Sequence, residues 1–185
     1  MWKKFDFFSK LTELFFGKDK YPQAYEKRTL ARAGAQFVVE TMDTRHLDDV
    51  MELQRRVYQG ETPWQPAAFL VEMHNPLPHL YLVVTHHGKV VAFIGCRVTN
   101  QDGHITNLAV DPAYQHQGLA LFLLQEIAAF AKSLRCSSLS LEVRLGNLAA
   151  QRLYRKFGFI TKAVKVEYYT ETQEDALDMI YLFEE

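Results

Sequence analysis

Hydrophobic and polar positions follow two different periods along the chain from residue 36 onward. Short runs rich in Val, Ile, Leu and Tyr, bounded by Gly, Asn, Asp or His, are typical of strands. Apolar residues that recur every three or four positions are typical of helices. The strands are predicted at 36–42, 80–86, 89–99, 104–110, 137–145, 159–170 and 175–183, and the helices at 43–59, 61–73, 119–134 and 147–157.

Local signals support the ends of these elements. Asp43 or Thr44 is a candidate N-cap for the first helix, and Thr62 or Gln65 for the second, which carries a proline in its first turn. Gly158 ends the last helix. The resulting order, β-α-α-β-β-β-α-β-α-β-β, predicts a mixed α/β (α+β) sheet domain without internal repeats.

The first 35 residues have a different character, and we assign them to an N-terminal basic amphipathic extension, with the main domain at 36–185. Within 1–20, apolar residues recur at helical spacing among lysines. Residues 1–34 hold 8 Lys/Arg and 4 Asp/Glu, a net charge of +4. Three interpretations stay open for this segment: a helix packed on its own domain or a second copy, docking on a membrane surface, and an unstructured tail.

Composition excludes several classes of protein. The 48% hydrophobic and 23% charged residues are ordinary for a globular protein, and the net charge of −1 gives no overall attraction to nucleic acid. No apolar run approaches the ~20 residues of a membrane span. The histidines form no ligand-spaced cluster, so we expect no metal site. Two isolated cysteines, Cys96 and Cys136, are typical of reduced thiols, and we expect a cytoplasmic location.

A glycine precedes the third predicted helix, in the stretch "DPAYQHQGLALFLL" at 111–124. A helix N-terminus offers N–H groups without intrahelical partners and about half a positive charge, and anions bind there. Gly118 has no Cβ, so a bulky diphosphate could approach its main chain. Alone, this pattern favours a tight strand-to-helix turn over an anion site.

The spacing Gln115-x-x-Gly118-x-Ala120 resembles the acyl-CoA-binding motif of the GNAT acetyltransferases, Gln/Arg-x-x-Gly-x-Gly/Ala, and follows "NLAVDPAY" as it does in that family. The resemblance implies acetyl-CoA as co-substrate and the GNAT fold, a mostly antiparallel central sheet with splayed middle strands flanked by helices. Two common arginines are replaced in this sequence, which implies that one or two charge contacts to phosphate are missing. The residues implied to hold the coenzyme A diphosphate through their main chain are His116, Gln117, Gly118, Leu119, Ala120 and Leu121, of which His116 and Leu121 replace the arginines.

A second stretch, "LSLEVRLGNLAAQRLYRKFGF", resembles the signature of the RimI-type ribosomal-protein-alanine N-acetyltransferases, a branch of the same family. Thr62-Pro63-Trp64 and the final "EYYTETQEDALDMIYL" are also similar to that branch. Together the matches span about 36–185. They imply a protein N-terminal α-amine as acceptor, on a small-subunit ribosomal protein.

Acetyl transfer to an amine needs a proton acceptor and a proton donor. Glu142 shares one face of its strand with Ser140 and Arg144, where a carboxylate could accept a proton from the amine or could simply be solvated or ion-paired. The resemblance implies that Glu142 is the general base and Tyr154 the general acid. It also implies that Asn147, two helical turns before Tyr154, contacts coenzyme A.

The resemblance implies that the strand at 104–110 supplies the donor that stabilises the oxyanion. In the family this strand is bulged and separates from the strand that carries the base. The main-chain N–H groups of Leu108, Ala109 and Val110 would then face the thioester carbonyl, with Val110 as the oxyanion donor.

The pKa of the amine bears on which acceptor the enzyme uses. Freeing an α-amine of pKa about 8 at pH 7 costs roughly 1.4 kcal/mol, and freeing a lysine of pKa about 10.4 costs roughly 4.6 kcal/mol. This favours an N-terminal amine. A lysine, polyamine or aminoglycoside acceptor, and a non-catalytic acyl-CoA-binding protein, remain alternatives. Trp64, Tyr168 and Tyr169 either line a peptide cleft or are plain packing aromatics.

Overall fold

The computed structural model describes residues 25–170 and 172–184, which form a single eight-stranded sheet with four helices. Two short 3-10 turns, at Thr44–His46 and Pro112–Tyr114, precede the first and third helices. The helical pattern at 1–20, within the extension predicted at 1–35, lies outside the described residues. In chain order the elements are β1 Arg28–Arg32, β2 Ala35–Thr41, α1 Leu47–Val57, α2 Pro66–Met73, β3 His79–His86, β4 Lys89–Thr99, β5 Asp102–Val110, α3 Leu119–Ser133, β6 Ser138–Arg144, α4 Leu148–Phe157, β7 Ile160–Tyr169 and β8 Glu174–Leu182.

The strand order in the sheet is β1-β2-β3-β4-β5-β6-β8-β7. Every neighbouring pair is antiparallel except β5 and β6, which run parallel. The predicted fold class is confirmed, a mostly antiparallel sheet with helices on its faces. Helix α3 provides the crossover that a parallel pair requires.

Strand β1 is the element that the sequence did not predict. Arg28–Arg32 pairs with Ala35–Val39 of β2 through a turn at Ala33 and Gly34, both with positive φ. Leu30 in its centre is 8% exposed and belongs to the main core. A division of the chain at 35/36 therefore cuts through a hairpin of the sheet. The pattern was missed because only one of five residues in the strand is buried.

Hydrophobic residues pack on both faces of the sheet. One face packs against α3 and α4, and the other against α1 and α2. Strand β3 shows the alternation: Leu80, Leu82 and Val84 lie in the first core, and Tyr81 and Val83 in the second. A strand buried on both faces reads as a continuous apolar run, as this one does.

The sheet opens at its centre, where β5 leaves β6. The register between β4 and β5 shifts because Gly95 pairs with Asn107 and Cys96 with Ile105, which leaves Thr106 as an extra residue in β5. Strand β5 pairs with β6 only over 102–104. Beyond His104 the two strands have no pairing, so the bulge and the separation implied by the family resemblance are both present.

Candidate active site

A cavity of about 350 Å³ lies where β5 and β6 separate. The ends of both strands line it, and so do α1, α4 and the end of β7. It brings together residues that are far apart in the sequence and that the sequence singled out as candidates: Trp64, Leu108, Glu142, Asn147, Tyr154, Tyr168 and Tyr169.

Glu142 is held by two side chains, those of Lys165 and His104. The Lys165 ammonium donates a hydrogen bond to Oε1, and His104 Nε2 lies 3.3 Å from Oε2. On its other side, His104 Nδ1 lies 2.9 Å from Ser140 Oγ, whose hydroxyl donates to Asp102. The carboxylate is therefore the cavity end of a polar chain that runs between β5, β6 and β7.

These contacts set the charge of Glu142. The hydrogen bond from His104 and that from Lys165 lower the pKa of Glu142 from 4.5 to about 2, and partial burial acts in the opposite direction. The same contact with Glu142 raises the pKa of Lys165. Glu142 is consequently an anion at every physiological pH, and it holds the alkylammonium group of Lys165.

Tyr154 is a buried phenol at the cavity wall, 7% exposed. Its ring packs at 5.7 Å from that of Phe159, so it also belongs to the core. Burial raises its pKa, with smaller contributions from Tyr58 and Tyr169. A phenol in these surroundings is protonated in the resting site.

Aromatic side chains form a further part of the cavity wall. Gln54, which is 1% exposed, fixes Trp64 by two hydrogen bonds, donating to its carbonyl at 2.9 Å and accepting from its N–H at 3.0 Å. Tyr168 and Tyr169 stack edge to face at 5.1 Å, and the Arg144 guanidinium lies 4.1 Å from the Tyr169 ring centre. Burial raises the pKa of Tyr169 to about 12.

Two asparagines border the cavity in different roles. Asn147 caps α4, because its Oδ1 accepts from the Ala150 N–H at 3.1 Å. The Nδ2 of Asn107, beside the bulge, is a buried donor without a hydrogen-bond partner in the described part of the chain. A buried donor of this kind costs free energy unless an acceptor meets it, so the site fits a ligand that carries amide carbonyls, as coenzyme A and peptides do.

The main chain of β5 presents donors to the opened side. Asp111 N–H donates to Val91 of β4, whereas the Val110 carbonyl accepts from the Gln115 side chain at 3.1 Å and so faces away from β4. In a strand, the N–H and C=O of one residue point the same way and neighbours alternate. The N–H groups of Val110 and Leu108 therefore face the gap, whereas that of Ala109 faces β4.

The turn before α3 lies outside the cavity lining and carries a row of free donors. Gly118 has φ +82 and is the N-cap of α3, whose first intrahelical bond is from Phe122 N to Gly118 O. The N–H groups of 116–121 have no acceptor in the described part of the chain. Among the described residues, a Cβ on Gly118 would meet only Arg32 Nε, at 3.9 Å. In this part of the chain the turn leaves six N–H groups available to an anion.

Two neighbours of Glu142 were missed by the sequence reasoning. His104 and Lys165 lie 38 and 23 residues from it in the chain, and β8 separates β6 from β7. Strand alternation predicts which face each side chain occupies, but not that β7 lies beyond β8. A strand order was needed to find these contacts.

Comparison with known proteins identifies the class. Residues 47–159 match the acetyltransferase (GNAT) family, and the chain belongs to that family. It is an N-acetyltransferase that depends on acetyl-CoA.

Named relatives narrow the assignment to one branch. The chain is 35% identical to a putative bS18-alanine N-acetyltransferase of Bacillus subtilis over 142 residues, 76% of this chain and 92% of that protein. It is 31% identical to the bS18-alanine N-acetyltransferase of Escherichia coli over 143 residues, 76% and 94% of the two chains. The crystal structure of the Escherichia coli ribosomal-protein-S18-alanine N-acetyltransferase is similar, with a TM-score of 0.70, 29% identity and coverage of 80% and 95%.

Two further properties concern the described residues as a whole. None of their helices has the length and apolar character to cross a bilayer. No group of three or more His, Cys, Asp or Glu among them is arranged to hold a metal ion.

Proposed function

We propose that this chain transfers an acetyl group from acetyl-CoA directly to the α-amine of an N-terminal alanine on a ribosomal protein, with both substrates bound at once. Its similarity to bS18-alanine N-acetyltransferases supports the acceptor. The proposed location, the cytoplasm, is where such an acceptor is made.

One observation carries the proposal: an anionic carboxylate and a protonated phenol line the same cavity, at the point where the central strands separate. Glu142 already holds the primary ammonium of Lys165. We infer that the α-ammonium of the acceptor takes this place, and that Lys165 marks the position of the nucleophile before the peptide arrives.

The residues around the cavity then divide the proton transfers. Glu142 accepts a proton from the acceptor ammonium, directly or through a water, and the freed amine attacks the thioester carbonyl. The N–H of Val110 donates to the carbonyl oxygen as negative charge develops there. The C–N bond forms and the C–S bond breaks, and Tyr154 donates its proton to the departing thiolate. The nitrogen of the new amide gives up its second proton to water, from which the Tyr154 phenolate is protonated again.

Displacement of Lys165 also affects the strength of Glu142 as a base. A carboxyl group with a pKa of about 2 is a weak proton acceptor. If the acceptor ammonium replaces Lys165 and then gives up its proton, Glu142 Oε1 no longer faces a cation, and the pKa of Glu142 rises as the proton is transferred.

The co-substrate binds along the separated strands in this proposal. The N–H groups of 116–121 hold the diphosphate, and the open face of β5 and Asn147 contact the pantetheine arm. Trp64, Tyr168 and Tyr169 wall the peptide cleft. The rigid double hydrogen bond between Gln54 and Trp64 favours a formed cleft over a mobile one.

Mass spectrometry of peptides incubated with acetyl-CoA tests the function. One peptide carries the N-terminal sequence of bS18 with a free α-amine and an internal lysine, and its matched control has the α-amine blocked. We expect one acetyl group on the free α-amine and none on the control. Acetylation of the control lysine alone, or of polyamines in place of the peptide, would overturn the assignment.

A further inference from the structure

Arg32 lies beside the turn that we propose as the diphosphate site. Strand β1 runs along α3, and Arg28, Leu30 and Arg32 share one face of it. Leu30 enters the core with α3. Arg32 lies at the N-terminal end of that helix, where its Nε is 3.9 Å from the position of a Cβ on Gly118 and its guanidinium carbon is 6.0 Å from the Phe122 ring centre.

The Arg32 guanidinium has no acidic partner in the described part of the chain. Its only hydrogen bond there is from Nη1 to the carbonyl of Ala31, at 3.0 Å, and the side chain is exposed. Arg28, four residues earlier on the same face, forms an ion pair with Glu126, further along α3. Arg28 is thus neutralised by Glu126. Arg32, at the N-terminal end of the helix, has no acidic partner among the described residues.

We propose that Arg32 binds a phosphate oxygen of the coenzyme A diphosphate and is a cofactor-binding residue supplied by the N-terminal hairpin. The inference rests on the proposed function, in which the diphosphate binds at the turn around Gly118. Two arginines expected near this turn are replaced by His116 and Leu121. Arg32 restores a positive charge there from a different element.

Geometry favours this role for an arginine. Main-chain N–H groups at 116–121 donate hydrogen bonds to some of the phosphate oxygens. A guanidinium adds charge-assisted hydrogen bonds, which main-chain groups cannot provide. The positive φ values of Ala33 and Gly34 fix a tight turn directly after Arg32. Pairing of Arg32 with Ala35 then holds the start of the side chain in register.

Calorimetry with coenzyme A tests the inference on the full chain. We expect Arg32→Gln to weaken coenzyme A binding about tenfold, as expected for loss of one charge-assisted hydrogen bond. Arg32→Lys should recover part of the loss. Arg28→Gln, which removes the same charge from the same strand, should leave the dissociation constant within about twofold. Equal binding by Arg32→Gln and the unaltered chain, or equal losses in the two Gln variants, would overturn the proposal.

A second ligand separates the phosphates. 3′-Dephospho-coenzyme A keeps the diphosphate and lacks the ribose phosphate. Arg32→Gln should weaken its binding by the same factor as that of coenzyme A. If the effect of the substitution vanishes with this ligand, Arg32 contacts the ribose phosphate and the proposal is wrong. If the unaltered chain binds neither ligand, the proposed diphosphate site fails together with this inference. A normal melting temperature of each variant establishes that it is folded.

Discussion

At the scale of single residues, the site depends on one carboxylate whose charge is fixed by its neighbours. Glu142 contacts His104 and Lys165, and Lys165 Nζ also lies 3.7 Å from Asp178. The arrangement holds an ammonium at the position where we propose that the substrate ammonium binds. It also links the ionisation of Glu142 to the stability of the fold.

This link predicts a pH dependence of stability. The folded-state pKa of Glu142, about 2, lies below the unfolded value near 4.5, so its contribution is complete above pH 4.5 and is lost as the pH falls toward 2. We expect the unaltered chain to melt at a higher temperature than Glu142→Gln at pH 6, and this difference to shrink steadily between pH 4.5 and 2.5. A difference that is constant or grows on acidification would show that the ion pair is absent.

The phenol of Tyr154 is expected to act in the chemical step. Removing its hydroxyl in Tyr154→Phe should lower kcat by about a hundredfold, the usual scale of general acid catalysis, because the thiolate then departs without a proton. Coenzyme A binding should persist, since the ring still packs on Phe159. Tyr181→Phe removes a hydroxyl from an aromatic that packs on Phe157 and Phe159 outside the cavity lining, and serves as the control. Turnover by Tyr154→Phe at the control's rate would remove Tyr154 from this role.

Individual residues differ in how far the sequence predicted them. Glu142 and Tyr154 stand in spaced motifs, so the family resemblance could assign both to one site. Lys165 stands in no such motif, because its importance comes from a contact across β8. Arg32 was assigned to the extension by composition, and only the hairpin register brings it to Gly118.

At the scale of secondary structure elements, the bulge in β5 creates the cavity. Gly95 faces it from β4, and the Tyr81 hydroxyl lies 2.8 Å from Thr106 Oγ1, the side chain of the extra residue. A Cβ on Gly95 would lie 2.1 Å from the Tyr81 ring and 2.6 Å from Asn107 Oδ1. The glycine is therefore required by the space that the bulged strand and the Tyr81 ring occupy.

Overpacking at this position should be measurable. We expect Gly95→Ala to lower the free energy of urea unfolding by about 1–3 kcal/mol, because Tyr81 must move and its contact with Thr106 is disturbed. The double variant Gly95→Ala/Tyr81→Leu should have a free energy of unfolding close to that of Tyr81→Leu alone. The sum of the two single losses would predict a lower value. Strict additivity of the two substitutions would contradict a steric origin.

Elements with strong periodicity were predicted well, and the exceptions have a physical cause. Of the two candidate caps, Gln65 is the N-cap of α2, which therefore begins at Pro66 and not at residue 61. Gly158, in the left-handed region, ends α4 as predicted. A bulge leaves no mark in the order of residues, since Thr106 is as suited to a regular strand as to an irregular one. Its presence was inferred from resemblance, and the register establishes it.

At the scale of the whole molecule, the hairpin of β1 and β2 joins the N-terminal region to the acetyltransferase sheet. Beyond Leu30, the link includes the ion pair of Arg28 with Glu126 of α3. The predicted division at 35/36 separates β1 from the sheet that it extends. A division before residue 25 keeps the hairpin whole.

Two shortened chains distinguish these divisions. A chain that begins at Gln36 loses β1 and leaves the edge of β2 unpaired. It should be less stable by at least the burial of Leu30, about 1.5–3 kcal/mol, and should bind coenzyme A more weakly because Arg32 is gone. A chain that begins at Tyr25 keeps both contributions and should exceed the chain from Gln36 in both measurements.

Chemical unfolding and coenzyme A titration of the three chains decide between the two boundaries, and they separate the two roles of the hairpin. Restoring β1 with Arg32→Gln in the chain from Tyr25 should recover the stability but not the affinity, because Leu30 acts through packing and Arg32 through charge. Equal stability and affinity of the chains from Gln36 and Tyr25 would make β1 dispensable and support the boundary at 35/36.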